Sequence, residues 1–181
     1  MTLPKGTKAK RAWATTSPEH PVAFLELEDE AGAKAIYSAG KSEKGLLGQD
    51  NKVVESSQFK KIKYPSTGLV YETLDIGLDS AMAIDSTGHL WGWGHNEHHR
   101  LGLSDISENG IHRPKEIYPL NELGLKAKKV SCGSLHSLVL LEDDKGKQTL
   151  WSIGNKSGSE YAHLGAPEDK VGDEEKPFRE I

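Results

Sequence analysis

Apolar and polar positions along this chain fall into short runs, and the runs recur in sets. Val22-Ala23-Phe24-Leu25, Ala81-Met82-Ala83-Ile84 and Leu138-Val139-Leu140-Leu141 are apolar stretches. Each leads into an acidic turn ending in glycine: Glu28-Asp29-Glu30-Ala31-Gly32, Asp85-Ser86-Thr87-Gly88 and Asp143-Asp144-Lys145-Gly146. Such turns signal hairpins, because the last position needs positive φ. A second apolar run follows each turn and ends at Gly40, Gly94 or Gly154. A third strand is predicted ahead of these pairs at Tyr71 to Ile76 and at Lys128 to Cys132. A fourth is predicted at Ser57 to Ile62, Lys115 to Ile117 and Phe178 to Ile181. Strands of about five residues with turn chemistry between them mark an all-β chain. No stretch beyond about ten residues keeps a clean helical period, so any helix is short.

The pattern is a repeat. Gly40, Gly94 and Gly154 are spaced by 54 and 60 positions, and each opens a polar loop closed by Leu-Gly at Gly48, Gly102 and Gly165. Trp91 and Trp151 share one place in the second strand. His20, Asp79 and His136 are read as equivalent, 59 and 57 apart. Four-stranded sheets repeating about every 55 residues cannot bury their faces alone, and radial packing into β-propeller blades solves this. The loop Leu then fills the gap between blades, and the Gly permits a backbone path that a Cβ would obstruct. The expected fold is all-β: four-stranded antiparallel blades in a partial propeller of about three. The division is 1–11, a basic N-terminal tail; 12–62, blade one; 63–117, blade two; and 118–181, blade three plus the first strand of a further blade. That last strand is taken from the match of Lys176-Pro177-Phe178-Arg179-Glu180-Ile181 to Arg113-Pro114-Lys115-Glu116-Ile117.

Composition narrows the function classes. Four Trp, five Tyr and three Phe among 181 residues are too much aromatic surface for a chain that buries nothing. The longest apolar run, about Leu138 to Leu141, is far short of the roughly 20 residues a membrane helix needs. With 23 Lys+Arg against 27 Asp+Glu, the net charge of −4 disfavours a nucleic-acid surface. Lys5, Lys8, Lys10 and Arg11, and Lys60, Lys61 and Lys63, are local basic patches that read as solvated surface. The single cysteine, Cys132, forms no internal disulfide and reads as a small buried hydrophobe. The N-terminus has no secretory apolar core, so an intracellular place, cytoplasm or nucleus, is expected.

The residues Cys132-Gly133-Ser134-Leu135-His136-Ser137 with Leu150-Trp151-Ser152-Ile153-Gly154-Asn155 resemble the regulator-of-chromosome-condensation repeat family, as do Gly77-Leu78-Asp79-Ser80 with Leu90-Trp91-Gly92-Trp93-Gly94. The resemblance covers roughly residues 12–181 and implies a seven-bladed propeller. Departures mark a divergent member: Asp79 stands where the family has His, His20-Pro21 replaces His-Ser, and the third loop carries extra residues from Gly158 to Ala162. Three units do not close a ring of seven, and an open set exposes apolar sheet faces. The chain is therefore expected to be a fragment or part of an assembly, its ring completed by remaining blades or by another chain.

Candidate sites are few. His95-Asn96-Glu97-His98-His99 offers a ligand set for zinc. The aligned Lys41-Ser42-Glu43-Lys44-Gly45 has no such ligands, so an ordinary polar loop is the reading taken and no metal is assigned. His20 and His136 are expected to make a side-chain hydrogen bond that ties blade to loop. Asp75 with Asp79 or Glu72 poses as a carboxylate pair on strands where solvated charge is the default. No Ser-His-Asp set, phosphate loop or helix-borne His pair is found, so no catalytic residue and no cofactor are assigned. The long connections, Leu103 to Leu125 and Gly158 to Lys176, carry the partner-binding candidates Arg113, His112 and Tyr161, joined by Arg100, since Arg and aromatic residues anchor interfaces. The resemblance implies a protein-interaction scaffold or adaptor. Its alternative is a guanine-nucleotide exchange factor for a Ran-like small GTPase with chromatin association, working by differential binding. No residue here matches the wedge that exchange would need.

Overall fold

The computed structural model describes residues 3–15, 17–19, 21–50, 53–66, 69–103, 110–117, 120, 122–154 and 178–181. Among them, twelve strands form three four-stranded antiparallel sheets, each a meander. The first holds β1 (Thr7–Ala14), β2 (Val22–Asp29), β3 (Lys34–Lys41) and β4 (Glu55–Lys61). The second holds β5 (Tyr71–Ile76), β6 (Ser80–Asp85), β7 (Leu90–Gly94) and β8 (Ile111–Glu116). The third holds β9 (Lys126–Cys132), β10 (Ser137–Glu142), β11 (Gln148–Ile153) and β12 (Phe178–Glu180). Strand β5 lies against both β1 and β9. The sheets therefore fan out from a shared edge of first strands, the radial arrangement of propeller blades.

Turn chemistry sets the hairpins. In all three, one aspartate side-chain oxygen accepts the backbone N–H groups two and four residues on: Asp29 from Ala31 and Ala33, Asp85 from Thr87 and His89, Asp143 from Lys145 and Lys147. Burial alone would raise the Asp85 carboxyl. Hydrogen bonds from Thr87, the Trp91 indole and His89 outweigh it and hold the group below its ordinary value.

The core lies between sheets. Trp93 is fully buried, stands edge-on to Phe24 of the first sheet at 6.3 Å and stacks on Tyr71 at 6.1 Å. Its indole N–H donates to the Leu46 carbonyl at 2.9 Å. Leu46, Leu47 and Leu101 of the polar loops are 0% exposed, so the loop leucines do fill the seams between blades. Tyr64 stacks on Tyr71 at 4.9 Å, and burial pushes its phenol up to about 12.

Three expectations change. Residues 7–11 are no tail. The basic run lies on β1 because β2 neutralises it, Arg11 meeting Glu26 at 2.6 Å and Lys10 meeting Glu28 at 3.2 Å. Phe178–Glu180 opens no further blade either; it pairs with β11 and completes the third sheet, as Ile111–Glu116 completes the second. Finally, Asp79 and His136 are not equivalent. Gly77 N–H donates to the Ser80 carbonyl and Gly133 N–H to that of His136, so Ser80 occupies the place of His136. The hairpin β6–β7 is shorter than its neighbours, Ser80 facing Gly94 where Ser137 already faces Ile153, so positions cannot be matched by repeat spacing alone. His20 lies outside the described residues.

The same register makes Met82, Ile84 and Leu90 the counterparts of Leu138, Leu140 and Leu150. The first three are 0%, 4% and 1% exposed beneath the third sheet, whereas Leu138 and Leu140 are half-buried and Leu150 is 41% exposed.

Candidate functional site

The long polar loops leave the sheets at the end where Gly40, Gly94 and Gly154 sit. At Gly94 φ is +97°, and a Cβ would lie 2.6 Å from the Asp79 carbonyl oxygen. Gly40 crowds Pro21 and Gly154 packs on Leu135 and His136 in the same way. Glycine is required there because the chain must turn out of the sheet against a neighbouring backbone.

Beyond Gly94 the loop is held from within. Asn96 is fully buried; its side-chain N–H donates to the Leu103 carbonyl at 2.9 Å and its oxygen accepts Leu101 N–H at 3.0 Å. A short 3-10 turn, Glu97–His99, follows, and Gly102 N–H closes on the His99 carbonyl at 2.7 Å.

An ion cluster joins this loop to the third blade. The Arg100 guanidinium donates to Asp79 Oδ1 at 2.6 Å and to the Ser134 carbonyl at 2.7 Å. Asp79 Oδ2 lies 2.7 Å from His95 Nδ1, and His95 Nε2 lies 3.4 Å from Glu97 Oε2. Ser137 Oγ donates to the Arg100 carbonyl at 3.1 Å. Nearby, the Asp75 carboxylate accepts Cys132 N–H at 2.7 Å. Burial, then the Asp75 charge, push the Cys132 thiol up to about 12, so this sulfur stays protonated and unreactive.

These contacts decide several of the expected sites. Arg100, 3% exposed, is a clasp between blades and not a surface anchor, because its guanidinium is spent on Asp79 and Ser134. The Asp75 carboxylate accepts a backbone amide of the third blade, and the Asp79 carboxylate faces Arg100 and His95, a structural role for each. Arg113 is exposed and meets Asp50 of the first blade's loop at 3.0 Å, and His112 is half-buried beside Gly45. Tyr161 and Gly165 lie outside the described residues. The Trp91 indole donates to Asp85 at 2.8 Å and that of Trp151 to Thr149 at 2.9 Å, structural roles for both. Gly48 touches the Trp93 ring. The histidine run splits: His95 faces Asp79 while His99 Nδ1 lies 3.1 Å from the Leu103 carbonyl oxygen. Among the described residues no group of three or more His, Cys, Asp or Glu is placed to hold a metal ion. The clasp itself was missed, since an Arg, an Asp and a His spread over 21 positions carry no spacing signal.

Known proteins share this architecture. A model of the regulator of chromosome condensation (RCC1) repeat matches residues 87–140. The chain is 27% identical over 187 residues to the protein RCC2 homolog of Xenopus laevis, covering 91% of this chain and 36% of that one. It is 26% identical over 140 residues to the human probable E3 ubiquitin-protein ligase HERC6, covering 74% of this chain and 13% of that one. It is also 26% identical over 152 residues to the ultraviolet-B receptor UVR8 of Arabidopsis thaliana, covering 83% and 30%. Among solved structures, human WBSCR16 superposes on all of this chain and 39% of its own, with TM-score 0.70 at 18% identity. Yeast RCC1 (Prp20), bound to Kap60, covers 96% and 37% with TM-score 0.67 at 18% identity. The chain thus spans little more than a third, or less, of the relatives it resembles.

Proposed function

We propose, for a chain that belongs to the RCC1-repeat family, that it is a protein–protein interaction module acting as a scaffold or adaptor. The observation that carries this reading is where the polar groups go. Arg100, Asp79, His95 and Asp75 are committed to holding loops and blades, and the exposed side chains of the loop end, such as Glu97 and Arg113, stand on that rigid base. Loops positioned by a rigid scaffold are where recognition is concentrated. The face bearing Leu138, Leu140 and Leu150 is the seat for a further repeat sheet, from the same or another chain, since Met82, Ile84 and Leu90 are covered that way. Cytoplasm or nucleus is the proposed location; no helix among the described residues is long and apolar enough to cross a membrane.

The second reading, guanine-nucleotide exchange on a Ran-like GTPase, draws on a structural neighbour, Prp20p of Saccharomyces cerevisiae, which binds Gsp1p and histones. Two measurements separate the readings. A photo-crosslinker at Glu97 and another at Lys60, an outer-strand position, should give partner adducts from the first and none from the second. Release of a fluorescent guanine nucleotide from a Ran-like GTPase should proceed at its intrinsic rate with the chain present. Acceleration of release would replace the scaffold reading with exchange, and equal crosslinking from both positions would sink the loop-end assignment.

A further inference from the structure

Each sheet has a front and a rear. In the second, Leu74, Ala83 and Trp91 stand side by side on the front, the face whose Trp93 meets Phe24 of the first sheet, and all three are buried. Met82, Ile84 and Leu90 form its rear and are sealed by the third sheet, whose first strand β9 lies against β5 and β6. Front packs on rear at both seams. A polar bond crosses each one: the Arg11 guanidinium donates to the Glu72 carbonyl at 2.8 Å, and the Asp75 carboxylate accepts the Cys132 N–H at 2.7 Å.

Strand register carries the same positions to both ends of the stack. Val22 faces Gly40 as Ser80 faces Gly94, so Ala12, Leu25 and Tyr37 form the first sheet's front, the counterparts of Leu74, Ala83 and Trp91. Ala12 is exposed, and Leu25 and Tyr37 are half-buried. At the other end, Leu138, Leu140 and Leu150 form the third sheet's rear and are open in the same way. The polar positions of a seam recur there too. Lys129 pairs with Leu140 as Arg11 pairs with Glu26, and Ser131 pairs with Leu138 as Asp75 pairs with Met82; both are exposed. One chain thus presents the two halves of a seam, and the apolar surface of each gains free energy on leaving water.

We propose that the open rear of the third sheet takes the open front of the first sheet of a second copy, so that chains associate head to tail. This rests on the reading of that rear as a seat for a further repeat sheet, and it names the occupant. Continuity favours a second copy: the new contact is a third instance of the front-on-rear seam that this chain already builds twice. Such a contact is heterologous, so it either closes into a ring or grows by addition.

The test is sedimentation velocity on the full chain from about 1 to 200 µM. The mass should rise with concentration to two copies or more. Ala12→Glu on the front and Leu150→Glu on the rear, both at exposed positions, should each weaken association about a hundredfold or more, since the contact would bury a carboxylate with no partner. Mixed together, the two variants should form a one-to-one dimer and stop there, because one supplies an intact rear and the other an intact front. That rescue also shows that both variants are folded. The proposal is overturned if the wild-type chain stays monomeric at the highest concentration, if either variant associates as the wild type does, or if the mixture stays monomeric. For a monomeric chain, binding of the apolar dye ANS that Leu150→Glu removes would keep the rear as an open seat for another occupant. No such binding would sink the seat as well, while partner adducts from Glu97 would leave the scaffold reading standing.

Discussion

Removing the Arg100 side chain tests the blade seam directly. Arg100→Ala takes the donor from Asp79 Oδ1 at 2.6 Å and from the Ser134 carbonyl at 2.7 Å, in a place where the two ionic side chains are only 4% and 10% exposed. Breaking a buried ion pair from one side costs about 3–5 kcal/mol, because the remaining charge is stranded. His95 still faces Asp79 Oδ2 at 2.7 Å, which keeps the carboxylate partly satisfied and points to the lower end, about 3 kcal/mol. For a chain of this size that is a fall of about 6–12 °C in Tm. Urea unfolding at neutral pH, with the m-value monitored, measures it. The double variant Asp79→Leu with Arg100→Met provides the contrast: replacing both charges by apolar groups should cost far less than Arg100→Ala, since no charge is stranded. A loss below about 1 kcal/mol for Arg100→Ala, or additive losses in the Asp79/Arg100 cycle, would refute the clasp as an energetic link.

Three further outcomes follow from the fold. Trp93→Ala should cost about 3–5 kcal/mol, since it empties the largest fully buried position between the first two blades and strips the Leu46 carbonyl of its donor; denaturant titration reading under about 2 would contradict this. Gly94→Ala should destabilise by more than about 1 kcal/mol, because it adds a Cβ at φ +97° against the Asp79 carbonyl, and an unchanged Tm would refute the close approach. Asp85→Asn should cost stability at neutral pH that disappears on acidification: the folded carboxyl lies below its unfolded value, so its contribution is full above the ordinary carboxylate range and lost as pH falls through the lowered value. A wild-type-minus-variant difference independent of pH would overturn that assignment.

Much of the fold was legible from turns and periodicity. The aspartate-to-glycine turns, the strand β5 at Tyr71–Ile76 and the three glycines ending the long hairpins are local patterns whose physics is complete within a few residues. Strand β1 was not legible: Thr7–Ala14 looks like a charged tail until Glu26 and Glu28 are set beside it. The expected equivalence of His136 with Asp79 failed for a similar reason, because strand register depends on the hairpin pairing and not on the spacing between repeats. At the site, Arg113 was legible as exposed, whereas the burial of Arg100 was not, since nothing local announces that Ser134 and Asp79 converge on it.

The sequence by itself determined the all-β class, the three repeats and the glycine positions, since hairpin turns and alternating apolar residues act over short separations. Only the tertiary structure decided which charges pair across blades, which leucines are sealed and which loop is held rigid. Arg11 and the Glu72 carbonyl are 61 positions apart, Arg100 and Ser134 are 34, and Asp75 and Cys132 are 57. Such pairings exist only once the sheets have packed, because their energy comes from desolvation and geometry that no single repeat possesses alone.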